Sequence, residues 1–162
     1  MTTIAWRADT IVGDSATTEH GTLISLAPKV HKLKSGAIVG YAGDADSRAL
    51  HAILEKVRKP ADLPSVAKLR ELKQDHAAII LFPSGKVFAI DVGNDKGDYC
   101  GICEIVADYY AIGSGGLVAM AAMAAGASAM KAVSIACDLD VHTKAPITFK
   151  QIKLKKPPHS NT

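Results

Sequence analysis

Apolar and polar positions alternate over the first forty residues of the chain and then change period. Thr3 to Arg7 and Thr10 to Ser15 are short runs rich in β-branched residues, split at Ala8-Asp9, which predicts a hairpin. Lys29-Val30-His31-Lys32-Leu33 alternates, Ser35-Gly36 makes a turn, and Ala37 to Ala42 returns as an apolar strand ending at Gly43. Leu50, Ile53, Leu54 and Val57 then stand at i, i+3, i+4 and i+7, one face of a helix. Asp44 or Asp46 can cap that helix, and Lys59-Pro60 ends it. A shorter helix is predicted over Leu63 to Gln74, with Val66, Leu69 and Leu72 inward and Pro64 in its first turn.

Ala77 to Phe82 is apolar on both faces, the mark of a central strand. Pro83-Ser84-Gly85 turns the chain into a return strand over Lys86 to Val92, and Ala107 to Ile112 is a further strand leading into Gly113-Ser114-Gly115-Gly116. Two alanine-rich helices follow, Leu117 to Ala125 and Ser128 to Leu139, whose small side chains allow close approach and predict that the pair is sandwiched between neighbours. Pro146 to Leu154 alternates again as a late strand. Antiparallel hairpins with segregated helix pairs predict an α+β fold with helices over both faces of stacked sheets. No linker or repeat interrupts the order, so residues 1–162 are read as one domain, with about 155–162 a basic tail.

Composition narrows the classes. Of 162 residues, 48% are apolar and 22% charged, too apolar for a disordered chain and long enough to bury its own core without staples. The net charge of +3 is mostly local, in the run Lys150 to Lys156, which suits an edge strand. Nucleic-acid binding is disfavoured, because the basic residues are not interleaved with aromatics, which total only 5%. Three cysteines, an odd count, fit a reducing cytoplasm. Cys100 and Cys103 form a C-x-x-C that follows a loop, not a strand, and has no second pair to complete a zinc site. Ala111 to Met130 is uncharged, but glycine and alanine dominate it, so a buried helix is expected and no membrane span. Met1-Thr2-Thr3-Ile4 lacks the basic and apolar blocks of a leader.

The candidate chemistry begins at the same residues. Methionine is normally trimmed before a small side chain, which would leave Thr2 with a free α-amine. Such a residue holds nucleophile and base together, the amine titrating at about 7.7–8.0 when unperturbed. Met-Thr is also an ordinary start. Lys29 could lower the pKa of that amine and stabilise charge developing on the hydroxyl, and Asp14 could supply its counter-charge. Gly40, a glycine inside a strand, marks either a bulge or a close approach in which its N–H serves as an oxyanion donor. Ser114 is either a partner of the amine or a helix cap.

Taken in order, Thr2-Thr3-Ile4, Ile11-Val12-Gly13-Asp14, Lys29 to Leu33 with Gly40-Tyr41-Ala42-Gly43, and Ala111-Ile112-Gly113-Ser114-Gly115-Gly116 resemble the proteasome-type threonine peptidases, nearest the bacterial HslV subunits. A weaker stretch, Ala136 to Thr143, falls where that family ends its second helix pair. The resemblance implies a four-layer αββα N-terminal-nucleophile fold and a threonine-type endopeptidase. Thr2 would be the nucleophile, Lys29 and Asp14 the charge pair, Gly40 the oxyanion donor, and Ser114 the residue orienting the amine. Asp140-x-x-Thr143 resembles the family's Asp-x-x-Ser pair that supports the nucleophile, where HslV has a cysteine in place of the aspartate. The resemblance also implies a monovalent cation, sodium or potassium, on the carbonyls of Cys137, Asp140 and Thr143, and no other cofactor. It implies peptide or unfolded-protein substrates, a homo-oligomeric ring and an ATP-dependent unfoldase partner. The region Asp44 to Gln74 is shorter than in HslV, which bears on ring size and docking. The rival expectations are a catalytically silent scaffold subunit and an amidase acting on small substrates.

Overall fold

The structure, a computed structural model, describes residues 2–19, 22–43, 47–72, 75–93 and 101–154. The expectations for Met1, for caps at Asp44 or Asp46, for Cys100 and for the 155–162 tail lie outside those residues.

Strands β1 (Thr3–Arg7) and β2 (Thr10–Gly13) form the first hairpin, with Ala8 in the left-handed region at φ 55°. Next comes a two-stranded ribbon, β3 (Ala16–Glu19) and β4 (Thr22–Leu26), which the sequence reading passed over. The chain continues through β5 (Val30–Lys32), β6 (Ile38–Gly43), α1 (Arg48–Leu54) and α2 (Val66–Arg70). Strands β7 (His76–Leu81), β8 (Val87–Val92), β9 (Gly101–Glu104) and β10 (Tyr109–Gly113) follow. Helices α3 (Gly116–Ala124) and α4 (Ala129–Leu139) and strand β11 (Thr148–Gln151) complete it.

The protein is α+β, and among the described residues every strand pairing is antiparallel. One sheet runs β10-β1-β2-β11 and the other β5-β6-β7-β8-β9. Period-two alternation sends successive side chains of each strand to opposite faces. Ile4 and Trp6 of β1 and Ile11 of β2 therefore meet Ile38, Ile79, Leu81 and Val87 of the second sheet. Ala5 and Val12, on the other face, meet Ala119, Met123, Ala132 and Val133 of α3 and α4. Val39, Tyr41, Ala78 and Ile80 of the second sheet pack against Leu50, Leu54 and Leu69 of α1 and α2.

Three expectations are corrected. Helices α3 and α4 are not sandwiched: their alanines permit close approach to one sheet, while Leu117 and Leu139 are 85% and 69% exposed. Among the described residues, the helix expected over Leu63 to Gln74 forms only as α2, where Ser65 Oγ accepts the Lys68 N–H at 3.3 Å and fixes the start. Gly40 is a packing glycine. A Cβ there would stand 2.4 Å from Ile4 Cγ2 and 3.0 Å from Ile11 Cγ2, so its missing side chain is what lets the two sheets meet. Lys150 lies on β11, at the edge of its sheet. Among the described residues, no helix is long and apolar enough to cross a membrane.

Candidate active site

Thr2 directly precedes β1, and Asp14 directly follows β2, so the first hairpin brings them side by side. Asp14 is fully buried. Its carboxylate accepts the Thr3 N–H at 3.0 Å, the Ala16 N–H at 3.1 Å and the Lys144 N–H at 3.3 Å. Lys29, just before β5, reaches the same carboxylate at 3.1 Å from across the sheet interface. Its Nζ also donates to Thr2 Oγ1 and to the Ala16 carbonyl. An ammonium carries three protons, and Thr2 Oγ1, Asp14 and the Ala16 carbonyl are three acceptors arranged around it. Burial pushes the Lys29 pKa below its ordinary value, and the adjacent Asp14 partly opposes that shift.

A second set of groups stands on the other side of Thr2. Ser114 Oγ lies 2.7 Å from Asp140 Oδ2 and 3.5 Å from the Thr2 carbonyl oxygen. Thr143 Oγ1 donates to the same Asp140 oxygen at 2.5 Å and lies 2.7 Å from Thr3 Oγ1. Burial alone raises the Asp140 pKa. The hydroxyls of Thr143 and Ser114 and the His142 amide outweigh it and hold the carboxyl below its ordinary value. Two glycines make room here. A Cβ on Gly113, at φ 92°, would fall 1.8 Å from the Thr2 carbonyl oxygen, and one on Gly115 would fall 2.2 Å from Thr3 Oγ1.

The structure thus brings Thr2, Lys29 and Asp14 together, places Ser114 and Asp140 next to Thr2, and leaves Gly40 out. The reason is strand parity. The Tyr41 N–H donates to the Lys29 carbonyl at 3.0 Å, so odd-numbered amides of β6 point toward β5. The amide of Gly40 points the other way, into the ladder opposite Ile79 of β7, and is not an oxyanion donor. The next odd position is Gly43, at φ 106°, whose amide faces the Lys29 side beyond the end of β5. A cleft of about 270 Å³ opens beside Gly43, lined by Asp75, His76 and Asp91. The sequence reading missed Gly43, Thr3 and the Ala16 carbonyl.

His31, Tyr41 and His51 form an aromatic group with ring centroids 5.5–5.9 Å apart, and Tyr41 Oη lies 3.0 Å from His51 Nδ1. Burial, then the neighbouring His51, lowers the His31 pKa. Cys137 is half-buried on α4. Burial and then Asp14 push its thiol pKa up, away from thiolate chemistry. Among the described residues, no three His, Cys, Asp or Glu side chains are grouped to hold a metal ion. Of the carbonyls expected to hold a monovalent cation, that of Asp140 accepts the Thr143 N–H at 3.1 Å.

No family model matches the chain, and no curated protein matches its sequence. Solved structures do match in shape. Thiobacillus denitrificans BPH superposes with a TM-score of 0.68 at 18% identity, over 96% of this chain and 99% of that one. The fold is shared. BPH in complex with epoxomicin gives a TM-score of 0.67 at 19% identity, over 95% of this chain and 98% of that one.

Proposed function

We propose that the chain is a threonine-type peptidase of the N-terminal-nucleophile αββα class, acting through Thr2 once Met1 is removed. One observation carries the reading: a half-buried lysine, neutralised by Asp14, donates a hydrogen bond to the hydroxyl of Thr2. A structural lysine has no need of such a contact, whereas a nucleophilic hydroxyl gains from a cation placed where its charge develops. The structural neighbour bound to epoxomicin, a proteasome inhibitor, supports the same reading.

The Lys29 ammonium donates to Thr2 Oγ1 and therefore does not serve as the base while it is charged. The α-amine of the trimmed chain takes that role. Thr2 Oγ1 attacks the peptide carbonyl as its proton passes to the amine, and the oxyanion faces the Gly43 N–H. The amine then returns the proton to the leaving nitrogen, and water hydrolyses the resulting ester. Lys29 and the oxyanion donor together lower the barrier by several kcal/mol, single donors of this kind being worth about 3. Peptide or unfolded-protein substrates, a homo-oligomeric ring with inward sites and an ATP-dependent unfoldase belong to the same reading. No step uses a metal ion.

The test is turnover of small peptide amides by protein whose intact mass shows that Met1 is gone, beside its Thr2→Ala variant. Cleavage by the first and none by the second is expected. Equal cleavage by both would remove Thr2 from the chemistry. No cleavage by either would favour the scaffold subunit. Sedimentation at a multiple of 17.0 kDa is expected for the ring, and a monomer would remove that part of the reading.

A further inference from the structure

We propose that Thr3, the neighbour of the nucleophile, is a positioning residue that locks the two carboxylates on either side of Thr2 into register. The proposal rests on the N-terminal threonine reading. Thr3 is fully buried and held at two points. Its amide donates to Asp14 Oδ1 at 3.0 Å, beneath Lys29, and its hydroxyl meets that of Thr143 at 2.7 Å, beside Asp140. Thr3 thus bonds both to Asp14 and, through Thr143, to the Asp140 network.

Proton counting fixes the direction of the hydroxyl chain. An ionised carboxylate only accepts, and each hydroxyl has one proton to give. Asp140 has a lowered pKa and is ionised at neutral pH. Thr143 gives its proton to Asp140 Oδ2 at 2.5 Å, so in the 2.7 Å contact Thr3 donates and Thr143 accepts. Ser114 gives its own proton to the same Asp140 oxygen at 2.7 Å. It is left as an acceptor on the side of Thr2, which suits an amine N–H and does not suit a carbonyl. The order is Thr3 to Thr143 to Asp140, with Ser114 pointing in from the far end.

If the Thr3 hydroxyl is deleted, Thr143 loses the donor that orients it. Asp140 and Ser114 are then held less firmly, and the Ser114 acceptor on the side of Thr2 shifts. Gly115 shows that the fold is built around this contact, because a Cβ there would stand 2.2 Å from Thr3 Oγ1 and 2.9 Å from Thr143 Oγ1. Its φ of −85° suits any residue, so the glycine is required for space and not for backbone freedom.

The test compares Thr3→Val, which keeps the shape without the hydroxyl, with Thr3→Ser, which restores it, both trimmed of Met1. Three quantities are read: kcat and KM on a peptide amide, the titration of the Thr2 α-amine by NMR, and thermal stability. Thr3→Val is expected to lower kcat about tenfold, the size of one net hydrogen bond, with KM within about twofold. The α-amine midpoint should move in Thr3→Val, and Thr3→Ser should recover both values. Wild-type kcat and titration in Thr3→Val would overturn the proposal. So would equal losses in Thr3→Val and Thr3→Ser that follow thermal stability. The amine titration needs no turnover. A displaced midpoint in Thr3→Val, restored in Thr3→Ser, would therefore uphold the positioning role even if the wild type cleaved nothing and the peptidase reading fell. If Thr3→Val does not fold, Thr143→Val and Thr143→Ser take its place; because Thr143→Val removes the bond to Asp140 as well as that to Thr3, it is expected to lower kcat and displace the α-amine midpoint by more, Thr143→Ser again restoring both, and unchanged values in Thr143→Val would overturn the proposal.

Discussion

Asp14 gathers donors from the Thr3, Ala16 and Lys144 amides and from the Lys29 side chain onto one buried carboxylate. Removing one partner of a buried ion pair leaves the other charge uncompensated, which costs about 3–5 kcal/mol. Asp14→Ala is expected to lose stability in that range by urea denaturation. Disruption of the exposed Lys86–Glu104 pair, 54% and 43% accessible, should cost no more than about 1 kcal/mol. Equal losses would mean that Asp14 is not the anchor of the hairpin. Asp140 makes a second prediction, through pH. Its carboxyl has a folded pKa below the unfolded value, so its contribution to stability is complete above the ordinary carboxylate range and disappears as pH falls through the lowered folded value. The stability of wild type minus that of Asp140→Asn should therefore be flat near neutrality and shrink in acid. A difference that grew in acid would reverse the sign and refute the network. Thr2, Lys29 and Asp14 were legible in the sequence because their chemistry is visible as residue types. Thr3 was not, because one threonine in a β-branched run looks like any other.

Among the elements, β6 shows how a strand divides its work by parity. Even positions such as Ile38 and Ala42 face the first sheet, odd positions such as Val39 and Tyr41 face α1, and the amides alternate toward β5 and β7. Gly40 serves the sheet interface. Gly40→Ala is expected to destabilise by about 1–3 kcal/mol through overpacking, because the added methyl lands on Ile4 Cγ2. Ile4→Ala removes that methyl, so the double variant should lose less than the sum of the two single losses. Strict additivity would show that the two residues do not touch. From sequence alone, a strand glycine that admits a neighbouring side chain and one that admits a substrate look the same. The hairpins and the α3–α4 pair were legible because turn residues and alanine runs are local signals. Strand β4, whose residues are all exposed, offers no buried face to produce a period.

At the scale of the whole molecule, three apolar cores alternate with two sheets, and the site lies where the first hairpin and the approach to β5 converge. Trp6, the single tryptophan, is 6% exposed within the core between the sheets. Its fluorescence therefore reports on sheet separation. In urea, that signal and far-UV circular dichroism are expected to change together, as for one cooperative unit, and two separate transitions would mean that the sheets unfold independently. By itself, the sequence determined the α+β class, most strand and helix positions, and the threonine, lysine and aspartate that carry the proposed chemistry, because periodicity and residue type are properties of the chain alone. Only the tertiary structure decided which glycine amide of β6 faces the Lys29 side, that α3 and α4 cover one face and keep the other open, and that Thr3 bonds to both Asp14 and Thr143. Each of these depends on which strand lies alongside and in what register, and no local pattern along the chain encodes that.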